Sequence, residues 1–89
     1  MGIKRRRRKS HPIRIVERKL GHERAMGQAW KGIGLIEIDP RQSSHSYLNT
    51  LIHEGLHMCF PDMSESKVSK TAYRLSSLVW RQNFRRIKK

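Results

Sequence analysis

Apolar residues change their spacing along this chain, from alternation and short runs before residue 40 to three- and four-residue steps after it. Ile13 and Ile15 alternate with Arg14, and a turn-prone Gly21-His22 follows, which predicts a half-buried strand and a reversal. A second extended segment is expected from about Arg24 to Trp30. Gly32 and Gly34 then lead into Ile33, Leu35, Ile36 and Ile38, an apolar strand closed by Asp39-Pro40. About three short strands in succession read most simply as a β-meander.

Beyond Pro40 the period becomes helical. Leu48, Leu51, Ile52, Leu56 and Cys59 recur at helical steps and give one apolar face, while His53 and His57 share another. Ser43 and Ser44 are available as caps, no proline interrupts Tyr47 to Phe60, and Pro61 stops the helix. A second amphipathic helix is expected from about Ser64 to Arg85. Its apolar side holds Val68, Ala72, Leu75, Leu78 and Val79, and its other face carries Lys67, Lys70, Arg74 and Arg81. The fold class is therefore α+β: a small sheet followed by two helices.

Length and charge bound this picture. The chain has 89 residues, near the lower limit for a core that holds unaided, so a bound metal would add useful stability. Lys and Arg number 20 against 7 Asp and Glu, a net charge of +13, and the distribution is uneven. Residues 1–11 read as a basic arm containing Lys4, Arg5, Arg6, Arg7, Arg8 and Lys9, ahead of a single domain over 12–89. The C-terminal helix adds Arg81, Arg85 and Arg86, while the segment from Glu37 to Glu65 is acidic on balance. Such ends attract polyanions, with nucleic acid the first candidate, through phosphate contacts that need no base reading. A solvated arm, a tail docked in an anionic assembly, and a nuclear localisation signal are the alternative readings.

Compartment follows from absences. No apolar h-region succeeds the basic start and no run approaches 18 apolar residues, so neither a classical secretion signal nor a membrane span is expected. Cys59 is the only cysteine. It excludes an internal disulfide framework, fits a reducing interior, and reads as a small core residue. The expected location is the cytoplasm of a host cell, or a virion.

The sharpest chemical signal is His53-Glu54-Gly55-Leu56-His57. Residues four apart are neighbours on a helix surface, so two imidazoles can reach one cation, which leaves positions for a third protein ligand and a water. Gly55 costs about 1 kcal/mol relative to alanine in a helix, and it leaves room beside the histidines. With zinc as the cofactor, bound water has a pKa near 7. Glu54 would take its proton and pass it to a leaving amine. The strand Ile33 to Ile38 is available to pair with an extended peptide, and Tyr47, Tyr73 and His22 are the available oxyanion partners. Two helix histidines that are merely hydrogen-bonded or solvated are the competing account.

The segment GLIEIDPRQSSHSYLNTLIHEGLHMCFPDMSESKV resembles the active-site core of compact zincin metallopeptidases, small proteins often encoded by bacteriophages and other mobile elements. The resemblance spans roughly residues 33 to 80, and its specific positions are His53, Glu54 and His57. It implies a zinc-dependent metallopeptidase, a hydrolase acting on a peptide or protein substrate. DNA-associated proteases of the Spartan type use a further downstream histidine, and none follows His57 here. The gluzincin type uses a glutamate from the next helix, which points to Glu65 as third ligand. Asp62-Met63-Ser64-Glu65 also fits a capping box with Asp62 as N-cap and Glu65 at N3. Asp62 is the second choice of ligand, with His45 and His22 behind it.

Against a working protease stand the small size and the lack of a second subdomain to wall a cleft. The rival class is a basic nucleic-acid-binding or virion protein whose zinc site is structural or vestigial. A small subunit anchored in a larger assembly by its arginine-rich ends is a third.

Overall fold

The computed structural model describes residues 12–21 and 25–87. Strand β1 runs over Arg14–Glu17, β2 over Gly27–Trp30 and β3 over Leu35–Ile38; helix α1 is Ser44–Cys59 and α2 is Glu65–Arg81. A three-stranded sheet followed by two helices is the layout that the hydrophobic pattern predicts.

The strand order corrects the meander. β3 lies in the middle, in the order β1-β3-β2, with β1 parallel and β2 antiparallel to it. The physical reason lies in the link from β1 to β2. Leu20 is fully buried, and its backbone N–H donates to the Asp39 carboxylate at 2.9 Å, just past the end of β3. Arg18 N–H donates to Ile38 O at 3.0 Å and Asp39 N–H to Met26 O at 2.8 Å, so the link leaves β1 and enters β2 at that same end. Asp39 also accepts from Arg41 backbone and guanidinium. The Arg41 guanidinium, followed by the Leu20 amide, holds its carboxyl far below the usual carboxylate range. β2 and β3 are joined through the 3-10 turn Lys31–Ile33, which closes on Gly34 at φ 64°, a left-handed conformation that disfavours side chains.

Both helix starts are serine caps. Ser43 Oγ accepts from Ser46 N–H at 3.2 Å, and Ser64 Oγ accepts from Lys67 N–H at 3.1 Å. α2 stops at Arg81, earlier than Arg85, because Asn83 turns the backbone to φ 67°. The core is thin. Its buried apolar members are Leu20, Ile36 and Ile38 from the sheet side, and Val68 and Ala72 from α2. Cys59, expected in it, is exposed as the last residue of α1. The buried residues of α1 are instead the polar Thr50 and Glu54, because this is the stripe that meets β2.

Candidate metal centre

His53 and His57 project from one face of α1, with ring centroids 5.1 Å apart and ring planes inclined at 59°. Glu65 comes to them from the first turn of α2. Its Oε2 lies 3.0 Å from His53 Nε2 and its Oε1 2.8 Å from His57 Nε2. Ser69 Oγ donates to the same carboxylate at 3.3 Å. Partial desolvation pushes the Glu65 pKa upward, but the interactions with His53 and His57 and the hydrogen bond from Ser69 outweigh it, and the carboxyl is held below its ordinary value.

The cap at Ser64 makes this convergence possible. Because Ser64, rather than Asp62, is the N-cap, Glu65 becomes the first residue of α2 and its carboxylate turns outward to the histidines, not back onto the helix terminus. The capping-box alternative is thereby corrected. Asp62 is exposed and stands outside the cluster. His45 stacks on Trp80 at 4.4 Å, away from the site, and His22 lies outside the described residues.

His53, His57 and Glu65 offer ligand atoms within 4.8 Å of one another, the one such grouping among the described residues. Two imidazole nitrogens and one carboxylate oxygen form a donor set that divalent transition metals accept. These three residues can therefore hold a metal ion.

Glu54 lies beside them and is different in kind. It is 9 % exposed and lines a cleft of about 160 Å³ with Met26, Gly27, Asn49, Thr50 and His53. Burial raises its pKa, and Glu65 adds to this, while His53 and His57 pull it down. The structure thus holds a desolvated carboxyl next to, but not within, the three-residue cluster. A carboxyl with a raised pKa is better suited to shuttle a proton near neutrality than an exposed one.

The opposite wall was not foreseen. Gly27 brings the backbone of β2 so close to α1 that an added Cβ would lie 2.5 Å from Thr50 Cγ2 and 3.2 Å from Glu54 Cγ. A glycine within an extended run is the sequence signal for such an approach. Gly55 has the opposite character: a Cβ there meets nothing within 4 Å, so packing around the histidines does not require it.

Peptide pairing along β3 is also corrected, since β3 is bonded on both sides. Among the described residues β2 has an open edge. The bond from Asp39 N–H to Met26 O sets the alternation of the ladder. It turns the backbone groups of Gly27 and Ala29 toward that edge.

Of the basic positions, Lys4, Arg5, Arg6, Arg7, Arg8 and Lys9 lie outside the described residues. Arg81 is exposed, Arg85 lies 3.5 Å over the Trp80 ring, and Arg86 pairs with Glu17 at 2.7 Å while covering Tyr47. Tyr47 donates to Glu17 at 2.8 Å and Tyr73 is well exposed, so neither is turned to the cluster. Among the described residues no helix is long and apolar enough to cross a membrane. Neither protein-family models, curated proteins nor solved structures give a match to this chain.

Proposed function

We propose that this chain is a zinc-dependent peptide hydrolase in which His53, His57 and Glu65 hold the metal and Glu54 is the general base. The observation that carries the reading is the placement of one carboxylate against both Nε2 atoms, with a second, buried carboxyl adjacent. Zinc in such a donor set supplies Lewis acidity, which polarises a carbonyl and acidifies water.

The chain's own residues account for the remaining steps. An extended peptide adds to the open edge of β2, where the outward N–H and C=O groups of Gly27 and Ala29 bind its backbone. Gly27 lets that backbone run close to Glu54. Glu54, ionised when its turn comes, accepts a proton from the attacking water and delivers it to the leaving amine. The desolvated setting strengthens each of these interactions.

The test is a pair of measurements on the full chain. Purified protein is expected to carry one equivalent of zinc, and Glu54→Gln to keep that zinc while losing cleavage of an unstructured protein such as casein. Absence of zinc, or cleavage undiminished in Glu54→Gln, rejects the assignment.

The net charge of +13 favours a second reading, a basic nucleic-acid-binding or virion protein, of phage type, in which the same cluster only ties α1 to α2. Zinc bound without any peptide cleavage is its signature.

A further inference from the structure

The sheet has two faces, and the helices occupy one of them. Ile36 and Ile38 are buried on the side that faces α1, and Glu17, on the same side, meets Tyr47 of α1. Residues directly paired across strands share a face. The register therefore puts Arg14, Leu35 and Trp30 in one row on the opposite face, with Val16, Glu37 and Gln28 in the next. The helix residues seen against the sheet, Thr50 and Glu54 at Gly27 and Tyr47 at Glu17, stand on the other side from these rows.

Trp30 is the distinctive member. It is 48 % exposed, and its indole N–H donates to Glu37 Oε1 at 3.0 Å, which fixes the ring by its polar edge. Gln28 and the bidentate Arg18 bind the same carboxylate, so the central acid of this face is already neutralised. Trp80, the second tryptophan, is taken up by His45 and Arg85, whereas no ring or cation is stacked on Trp30 among the described residues. Arg14 is exposed at the other end of Trp30's own row, two strand spacings or roughly 10 Å away.

We propose that this helix-free face binds single-stranded nucleic acid, one base stacking on Trp30 and the backbone phosphates lying toward Arg14. Charge complementarity selects the occupant. The chain is at +13, the face presents the exposed Arg14 in the same row as an open aromatic ring, and base-on-aromatic stacking with basic flanks is how single strands are held without sequence reading. A duplex keeps its bases stacked internally and has nothing to offer Trp30. This surface is independent of the metal cluster and of any hydrolysis.

The experiment uses the full chain with a short oligothymidylate and a duplex of equal length. In Trp80→Phe, which leaves Trp30 as the sole tryptophan, saturation with oligothymidylate is expected to quench the emission strongly. Trp30→Ala is expected to weaken the single strand about tenfold or more and the duplex far less, with Trp30→Phe recovering most of the loss. Should Trp30→Ala fail to fold by circular dichroism, the quenching in Trp80→Phe decides. Unquenched emission at saturation, or equal losses for single strand and duplex, overturns the proposal. So does self-association of the protein that buries Trp30, which gives the face to a second copy.

Discussion

Glu65 Oε1 and His57 Nε2 stand 2.8 Å apart although a helix end, a proline and a new helix start separate the two residues in sequence. That contact makes Glu65, and not the nearby Asp62, the third member of the cluster. Glu65→Ala is expected to lower zinc affinity by more than the ten- to hundredfold typical of an outer-shell partner, and Asp62→Ala to leave it within about twofold. Competition titration with a chromophoric chelator measures both. Equal effects would dissolve the distinction.

In the proposed hydrolase Glu54 is the base and stands outside the His53, His57 and Glu65 cluster. Glu54→Gln keeps the shape of the side chain and removes the base, so cleavage should fall by about 10²- to 10⁴-fold with zinc stoichiometry unchanged. Loss of zinc in this variant, read by elemental analysis, would instead make Glu54 a ligand.

The approach of Gly27 to Thr50 carries a packing prediction. Gly27→Ala places a methyl group 2.5 Å from Thr50 Cγ2, with Glu37 O and Glu54 Cγ each at 3.2 Å, and should cost about 1–3 kcal/mol. Thr50→Ser deletes the colliding methyl. The double variant should therefore lose less than the sum of the single ones, a coupling that chemical denaturation detects.

Gly55 predicts the reverse sign. A Cβ there enters open space within a helix, so Gly55→Ala should stabilise by up to about 1 kcal/mol and leave zinc binding intact. A drop in melting temperature would show that the glycine serves something other than helix geometry.

Acid should unfold the sheet through Glu37. Hydrogen bonds from Arg18 above all, then from Trp30, outweigh desolvation and hold its pKa at about 2 rather than 4.5. The folded state thus binds fewer protons than the unfolded one between those values. The contribution is complete above pH 4.5 and is lost as pH falls toward 2. Glu37→Gln should flatten that acid limb in part. Asp39 and Glu65, depressed in the same direction, contribute to it as well.

Much of this architecture is legible in the residues. Period locates both helices, since Ser43, Pro61 and the spacing of Val68, Ala72 and Val79 are local signals, although Leu75 and Leu78 of the expected apolar side are exposed and the polar Ser76 is buried in their place. The pair His53 and His57 is fixed by one helical turn, which needs no tertiary knowledge. Strand order is another matter. The parallel placement of β1 depends on Leu20 reaching the core and on Asp39 binding its amide, two events distant in sequence with no periodic trace. The capping choice between Asp62 and Ser64 likewise turns on a single residue of phase, and it decides where Glu65 points. Cys59 misleads because an apolar stripe persists to the last residue of a helix whose end lies outside the core.

The central position of β3 bears on how the chain first acquires its shape. Among the described residues β1 and β2 have no strand neighbour other than β3, which is the last of the three to be synthesised. A nascent chain exposing only the earlier two holds a pair of segments with nothing to zip against. Sheet formation must wait for residues 35–38 and then proceed in one concerted event. Ribosome-bound fragments ending before Leu35 should accordingly remain protease-sensitive throughout, with resistance arriving in a single step.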